Sequence, residues 1–142
     1  MHYELSIEDN SEKKIEISVD GIITNVKVVL SQNDDNSKSS SERMNANVSI
    51  LGMIKNESLN QTKEILNWSK TTVTEQMYKS IIIRVYKDKN KKEGSLIRDF
   101  YFQEMYCFSY EEHFESGSND IYGTFCLNLK QVNGKVDTIV VE

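Results

Sequence analysis

The sequence predicts a mainly β fold: a small closed or nearly closed antiparallel β-barrel with one short flanking α-helix. Three observations predict it. The 142 residues hold 25 Ile and Val against 8 Leu, and Ala46 is the only alanine. Branching at Cβ restricts a side chain in a helix and suits a pleated surface, whereas Ala and Leu are strong helix formers. Apolar residues also recur at every second position through most of the chain, with turn residues between the runs. Only one segment carries a helical period. At this length the chain is read as one domain, 1–142, able to bury a core without disulfide or metal staples.

Tyr3, Leu5 and Ile7 alternate with polar residues, Asp9, Asn10 and Ser11 supply a turn, and Ile15, Ile17 and Val19 alternate again. That pattern is a hairpin. Asp20-Gly21 is a second turn signal, and Ile22 to Leu30 is a third strand. Residues 31–43 (SQNDDNSKSSSER) contain no aliphatic or aromatic side chain and can bury nothing. Because Ala46, Val48 and Ile50 resume the alternation, with Met53 as a further member, this stretch is a long polar insertion between two paired strands.

Residues 58–70 (SLNQTKEILNWSK) are the helix. Ser58 and Gln61 fit a capping box. Thr62, Ile65, Leu66 and Ser69 share a face with Trp68 beside it, and Ile65, Leu66 and Trp68 should hold the helix on the sheet. Tyr78 to Tyr86 is the next strand, turned by the charged segment 87–94 into Leu96 to Phe102. Met105 to Phe114 follows as a separate strand, and the polar loop 115–120 leads to Tyr122 to Val132. Asn133-Gly134 predicts a tight hairpin into a last strand, Val136 to Val141. The count is eight or nine strands, and closure into a barrel or sandwich would remove their exposed edges.

Charge and composition exclude several function classes. The formal net charge of −5 repels a phosphate backbone, so no nucleic-acid specificity is expected. The one basic cluster, Lys87, Lys89, Lys91 and Lys92, is interleaved with Asp88 and Glu93 and reads as a solvated turn. The segment MHYELSIED has no basic-then-apolar signal pattern, and the longest aliphatic run, Ile81 to Ile83, is far too short for a membrane span. Cys107 and Cys126 read as small buried hydrophobes of a reducing compartment, with a single disulfide between them left open.

The inventory for catalysis is thin. The histidines are His2, in a terminus expected to fray, and His113. On an extended strand Cys107, Glu111 and His113 would share a face, yet Cys107 and His113 would stand about 20 Å apart by strand rise, too far for a dyad. No zinc spacing occurs, and Asp34-Asp35 lacks the glycine and terminal glutamate of a calcium loop. A Gly-rich phosphate cradle and a nucleophile elbow are both missing. The chain is therefore expected to be no enzyme and to need no cofactor. Its second half is aromatic: Tyr106, Phe108 and Tyr110 are assigned to one strand face, and Phe125, Leu127 and Leu129 to another. Such stripes fill a barrel core or pack a subunit against its neighbours.

The order of elements adds a further reading. A short helix ending in Ile65-Leu66-Asn67-Trp68 is followed by IIIRVY (81–86), then LIRDFYF (96–102), MYCFSYEEHF (105–114), and, after a polar loop, GTFCLNLKQ (123–131). In this order the stretch from Trp68 to Val132 resembles the tube protein of contractile injection systems, meaning the Hcp subunit of type VI secretion and the tail-tube proteins of contractile phages and tailocins. Gln103-Glu104 departs from that pattern, standing where Pro or Asn often occurs. The resemblance implies a β-barrel assembled as a hexameric ring, and rings stacked into a hollow tube that a contracting sheath drives outward. It implies self-association, with sheath, baseplate or spike and cargo proteins as partners. It also implies assembly in the cytoplasm and export through the machine without a signal peptide.

On this reading Asn33, Asp34, Asp35, Lys38, Glu42 and Arg43 of the insertion, and Lys89, Lys91 and Lys92 of the hairpin, are the contact candidates between subunits and rings. The 115–120 loop is a further ring-face candidate. Ile65, Leu66, Trp68, Tyr106, Phe108, Tyr110, Phe125 and Leu127 are the packing candidates. Two other classes stay open: a soluble β-barrel binding a small molecule, and a hydrolase with an unrecognised site.

Overall fold

Alternation builds most of the sheet directly. In the computed structural model, which describes residues 1–32, 44–90, 93–117, 119–132 and 134–142, His2–Glu8 (β1) and Lys14–Ile17 (β2) form an antiparallel hairpin in register Leu5↔Ile17 and Ile7↔Ile15. These four residues are buried, as their period-two spacing requires. Ile23–Gln32 (β3) and Met44–Ile54 (β4) pair as far as Gln32↔Met44, so the polar insertion does separate two paired strands. Residues 33–43 lie outside the described set. Along β4 the buried row is Ala46, Val48, Ile50, Gly52 and Ile54, and Met53 belongs to the opposite face.

A short 3₁₀ turn, Asn56–Ser58, precedes helix α1, Leu59–Ser69. The expected capping box does not form. Ser58 turns back to the strand before it, its hydroxyl donating to the Met53 carbonyl at 2.8 Å and accepting from the Lys55 amide at 3.0 Å. Thr62, Ile65 and Trp68 are the buried face of α1, while Leu66, expected on the sheet, is 39% exposed. The true face follows an i, i+3 step, which the larger Trp68 ring takes over from Leu66. The Trp68 Nε1–H donates to the Met77 carbonyl at 2.9 Å. That carbonyl lies in a one-turn helix, Thr74–Met77 (α2).

Lys79–Tyr86 (β5), Leu96–Phe114 (β6), Gly123–Gln131 (β7) and Val140–Val141 (β8) complete an eight-stranded sheet in the order β2-β1-β5-β6-β7-β4-β3, with β8 on β6. All pairings are antiparallel. Among the described residues no ladder joins β2 to β3, so the sheet curls around its core without closing. Its inward side chains form one cluster, with Phe102, Met105, Ile81, Ile83, Leu127 and Leu129 essentially inaccessible.

Three expectations about the second half are corrected. Leu96–Phe102 and Met105–Phe114 are one 19-residue strand, because Glu104 takes a positive φ of 54° and absorbs the irregularity as a bulge where a turn was expected. A second bulge, between Cys107 and Ser109, makes Phe108 the extra residue. It splits the expected Tyr106/Phe108/Tyr110 stripe: Tyr110 packs on the core, Phe108 is 59% exposed, and Tyr106 shares the outward row with Lys130. Finally, β7 does not hairpin into the last strand. Val136–Thr138 is a 3₁₀ turn, and β8 pairs Val140 and Val141 with Tyr101 and Phe100 of β6. Gly134 has the positive φ of 84° that turn chemistry anticipates, but the chain crosses to another partner; Asn133 lies outside the described residues.

Candidate functional site

The long β6 strand divides the sheet. Its first half, to Met105, pairs with β5; its second half, Met105 to Phe114, pairs with β7. Among the described residues, 106–114 pair with no strand on the β5 side. At the other flank β3 pairs with β4 alone. The substructure β3-β4-β7-β6 is thus a four-stranded antiparallel sheet with a free edge on each side. Free edges are an aggregation hazard that natural proteins cover, twist away or use.

The outward face of these four strands is polar and ordered in rows. Val29, Asn47, Lys130 and Tyr106 lie in one row; Lys27, Ser49, Asn128 and Ser109 in the next; Asn25, Leu51, Cys126 and Glu111 in a third. Side chains tie the middle row together. Ser49 donates to Asn128 Oδ1 at 2.6 Å, and Asn128 Nδ2 donates to Ser109 Oγ at 2.9 Å. A shallow depression of about 260 Å³ near Leu51, Met53, Thr124, Cys126 and His113 is the apolar exception on this face. At the edges, large apolar side chains are exposed: Leu30 on β3, and Phe108 and Phe114 on β6. The Lys130 ammonium sits 3.8 Å from the Phe108 ring centroid and holds that ring outside the core.

Residues considered for chemistry do not converge. The Phe108 bulge places Cys107 on the core side and leaves Glu111 and His113 on the outward face, which overturns the expectation that all three share a side. Burial pushes the Cys107 thiol up to about 11. Cys126 faces the other way, and both cysteines are free thiols. His2 does not fray: it is buried against Tyr86, with Nδ1 3.4 Å from Asp20 and Nε2 3.8 Å from Glu4. His113 is exposed and pairs with Glu115 at 2.8 Å. Among the described residues no group of three or more His, Cys, Asp and Glu could hold a metal ion, and no helix is long and apolar enough to cross a membrane.

Ile65, Trp68, Phe125 and Leu127 are buried; Tyr106 and Tyr110 are half-buried. Lys89 is exposed in the β5–β6 hairpin, which closes through Lys87 N–H to the Ser95 carbonyl at 2.7 Å. Asn33, Asp34, Asp35, Lys38, Glu42, Arg43, Lys91 and Lys92 lie outside the described residues. The two free edges were missed in the sequence, since an edge is a property of topology. Their only local trace is the exposed alternation at Asn25, Lys27 and Val29.

No protein-family model matches the sequence, and no curated protein matches it. Solved structures do match. Hcp1 from Flavobacterium johnsoniae superposes with a TM-score of 0.56 at 18% identity, over 92% of this chain and 90% of that one. The fold is that of the Hcp proteins. Hcp1 from E. coli EAEC 042 has a TM-score of 0.56 at 10% identity, over 100% and 98% of the two chains. A chain of the sheath–tube complex of the extracellular contractile injection system PVC has 0.54 at 13%, over 99% and 88%. The Hcp-like fold covers the whole length, beyond the second half that carried the resemblance in the sequence.

Proposed function

We propose that this chain is the structural subunit of the inner tube of a contractile, phage-tail-like injection system. Copies close into a six-membered ring, and rings stack into a hollow tube through which cargo passes. The observation that carries this reading is the four-stranded half-sheet β3-β4-β7-β6 with two free edges. Its strands alternate in direction, so β3 of one copy runs antiparallel to the second half of β6 in the next. A row of copies then continues one antiparallel sheet and closes head to tail without leaving an edge. The Asn- and Ser-rich outward face lines the bore, where polar side chains let cargo slide without sticking. Lys89, on the exposed hairpin, meets the adjoining ring. The sheath, baseplate and spike are the further partners of such a tube, and the work is mechanical, not catalytic.

Negative-stain electron microscopy of the purified protein across a concentration series tests this. Rings with a central hole, or stacked tubes, are expected at high concentration. A particle that stays monomeric at every concentration, or one that binds a small molecule in a closed cavity, refutes it.

A further inference from the structure

The two free edges carry enough side-chain information to fix how one copy meets the next. We infer that β3 and β6 of adjacent copies pair in the register that sets Lys27 opposite Glu111 on the outward face and Val28 opposite Tyr110 on the core side. This inference rests on the ring reading above and specifies its interface.

Three observations select the register. First, slipping a strand by one residue moves every side chain to the other face. The outward residues of β3 are Asn25, Lys27 and Val29, and those of β6 beyond the bulge are Ser109, Glu111 and His113. Outward must meet outward, so allowed registers differ by two residues. Second, Lys27 and Glu111 are both exposed, and among the described residues neither has an ion-pair partner within its own copy. In the chosen register they are directly opposed, and opposite charges across a ladder attract. Slipping by two in either direction sets Lys27 against His113 or Ser109 and leaves Glu111 against Val29 or Asn25. Third, the chosen register sets Val28 opposite Tyr110, both of which pack against the core. Partly buried apolar side chains of the two edges then meet on the core side.

The stagger is also of the right kind. Within one copy Lys27 lies in the row of Ser109, and Glu111 lies one row away. Pairing Lys27 with Glu111 therefore advances the ladder by one row at each boundary. A closed barrel with tilted strands requires such a shear. The Phe108 bulge adds a stop, because its extra residue breaks the ladder and resists sliding past this point.

The test uses the full chain. Lys27→Glu and Glu111→Lys are each expected to raise the concentration for half-maximal ring formation by about tenfold, and the double variant Lys27→Glu/Glu111→Lys to restore it. All three should melt like the original chain, since both sites are on the surface. Separately, with Cys107 and Cys126 replaced by alanine, the pair Val29→Cys/Ser109→Cys should give a disulfide-linked ladder of copies on oxidation, and Val29→Cys/Glu111→Cys should not. Rings indifferent to both reversals, or cross-linking through Glu111→Cys in preference to Ser109→Cys, overturn the register while leaving the tube reading intact. An original chain that forms no ring at any concentration overturns the tube reading itself.

Discussion

Gly52 lies opposite Phe125 in the β4–β7 ladder, and the phenyl ring fills the space a side chain at Gly52 would need. A Cβ placed there would stand 2.5 Å from the ring edge and 2.9 Å from the Ile22 carbonyl oxygen. The ring could tilt, but the carbonyl is backbone. Gly52→Ala is therefore expected to destabilise the fold by about 1–3 kcal/mol, read as a fall in Tm by circular dichroism. An unchanged Tm would show that Phe125 and the β3 entry relax freely.

Trp68, the only tryptophan, joins α1 to the turn before β5. Trp68→Phe keeps most of the packing and leaves the Met77 carbonyl without its donor, at a cost of about 1 kcal/mol. Trp68→Ala opens a cavity and costs about 3–5 kcal/mol. Denaturant titrations would resolve the two, and native emission should be blue-shifted and move red on unfolding.

Asp9 anchors the β1–β2 turn to the start of β5. The Ser11 hydroxyl at 2.6 Å is the main reason its carboxyl is held down to about 2; partial desolvation opposes this, and the Ser11 amide and the Lys79 ammonium at 3.1 Å add to it. A carboxylate with a depressed pKa in the fold stabilises the fold above its unfolded value of 3.8. That contribution is lost as pH falls from about 4 through about 2. Asp9→Asn should lower stability by about 1 kcal/mol at pH 7, and the gap to the original chain should shrink as pH falls below about 4 and close only below about pH 2. A gap that persists in acid would show that the carboxylate charge is not the source.

The two thiols should differ in reactivity. Cys107 is turned to the core with its pKa raised to about 11, so iodoacetamide at pH 8 should modify it slowly in the folded state. Cys126, half-buried on the outward face, should be modified first. Peptide mass spectrometry over time checks the order, and equal rates would contradict the facing assigned to β6.

Much of this architecture was legible because period-two alternation is local. Leu5/Ile7, Ile15/Ile17 and Ala46/Val48/Ile50 announced their strands, and the pairing across residues 33–43 followed from the polarity of the insertion. What was hidden depends on contacts between distant residues. Gln103-Glu104 reads as a turn because it is polar, yet one positive φ at Glu104 lets β6 continue. The Phe108 bulge exists only relative to the register of β7, so no periodicity within β6 could reveal that Tyr106 and Tyr110 face opposite ways. β8 pairs with β6 despite an adjacent hairpin signal, because the ladder beside Phe100 and Tyr101 was open to it. The free edges were hidden for the same reason: Lys27 and Glu111 are ordinary surface charges until the strand order makes their strands the two flanks of one sheet.

The length of β6 bears on how force would travel through the proposed tube. Leu96–Phe114 is one strand that runs from the β5 side, through its bulges at Glu104 and Phe108, to the flank that the proposed ring would offer to the next copy. In that ring a pull along the circumference would load this one strand and pass to Ile81, Ile83 and Phe102, which are buried where it pairs with β5. In the proposed ring such a load would pass directly into the buried core, with no covalent link between copies.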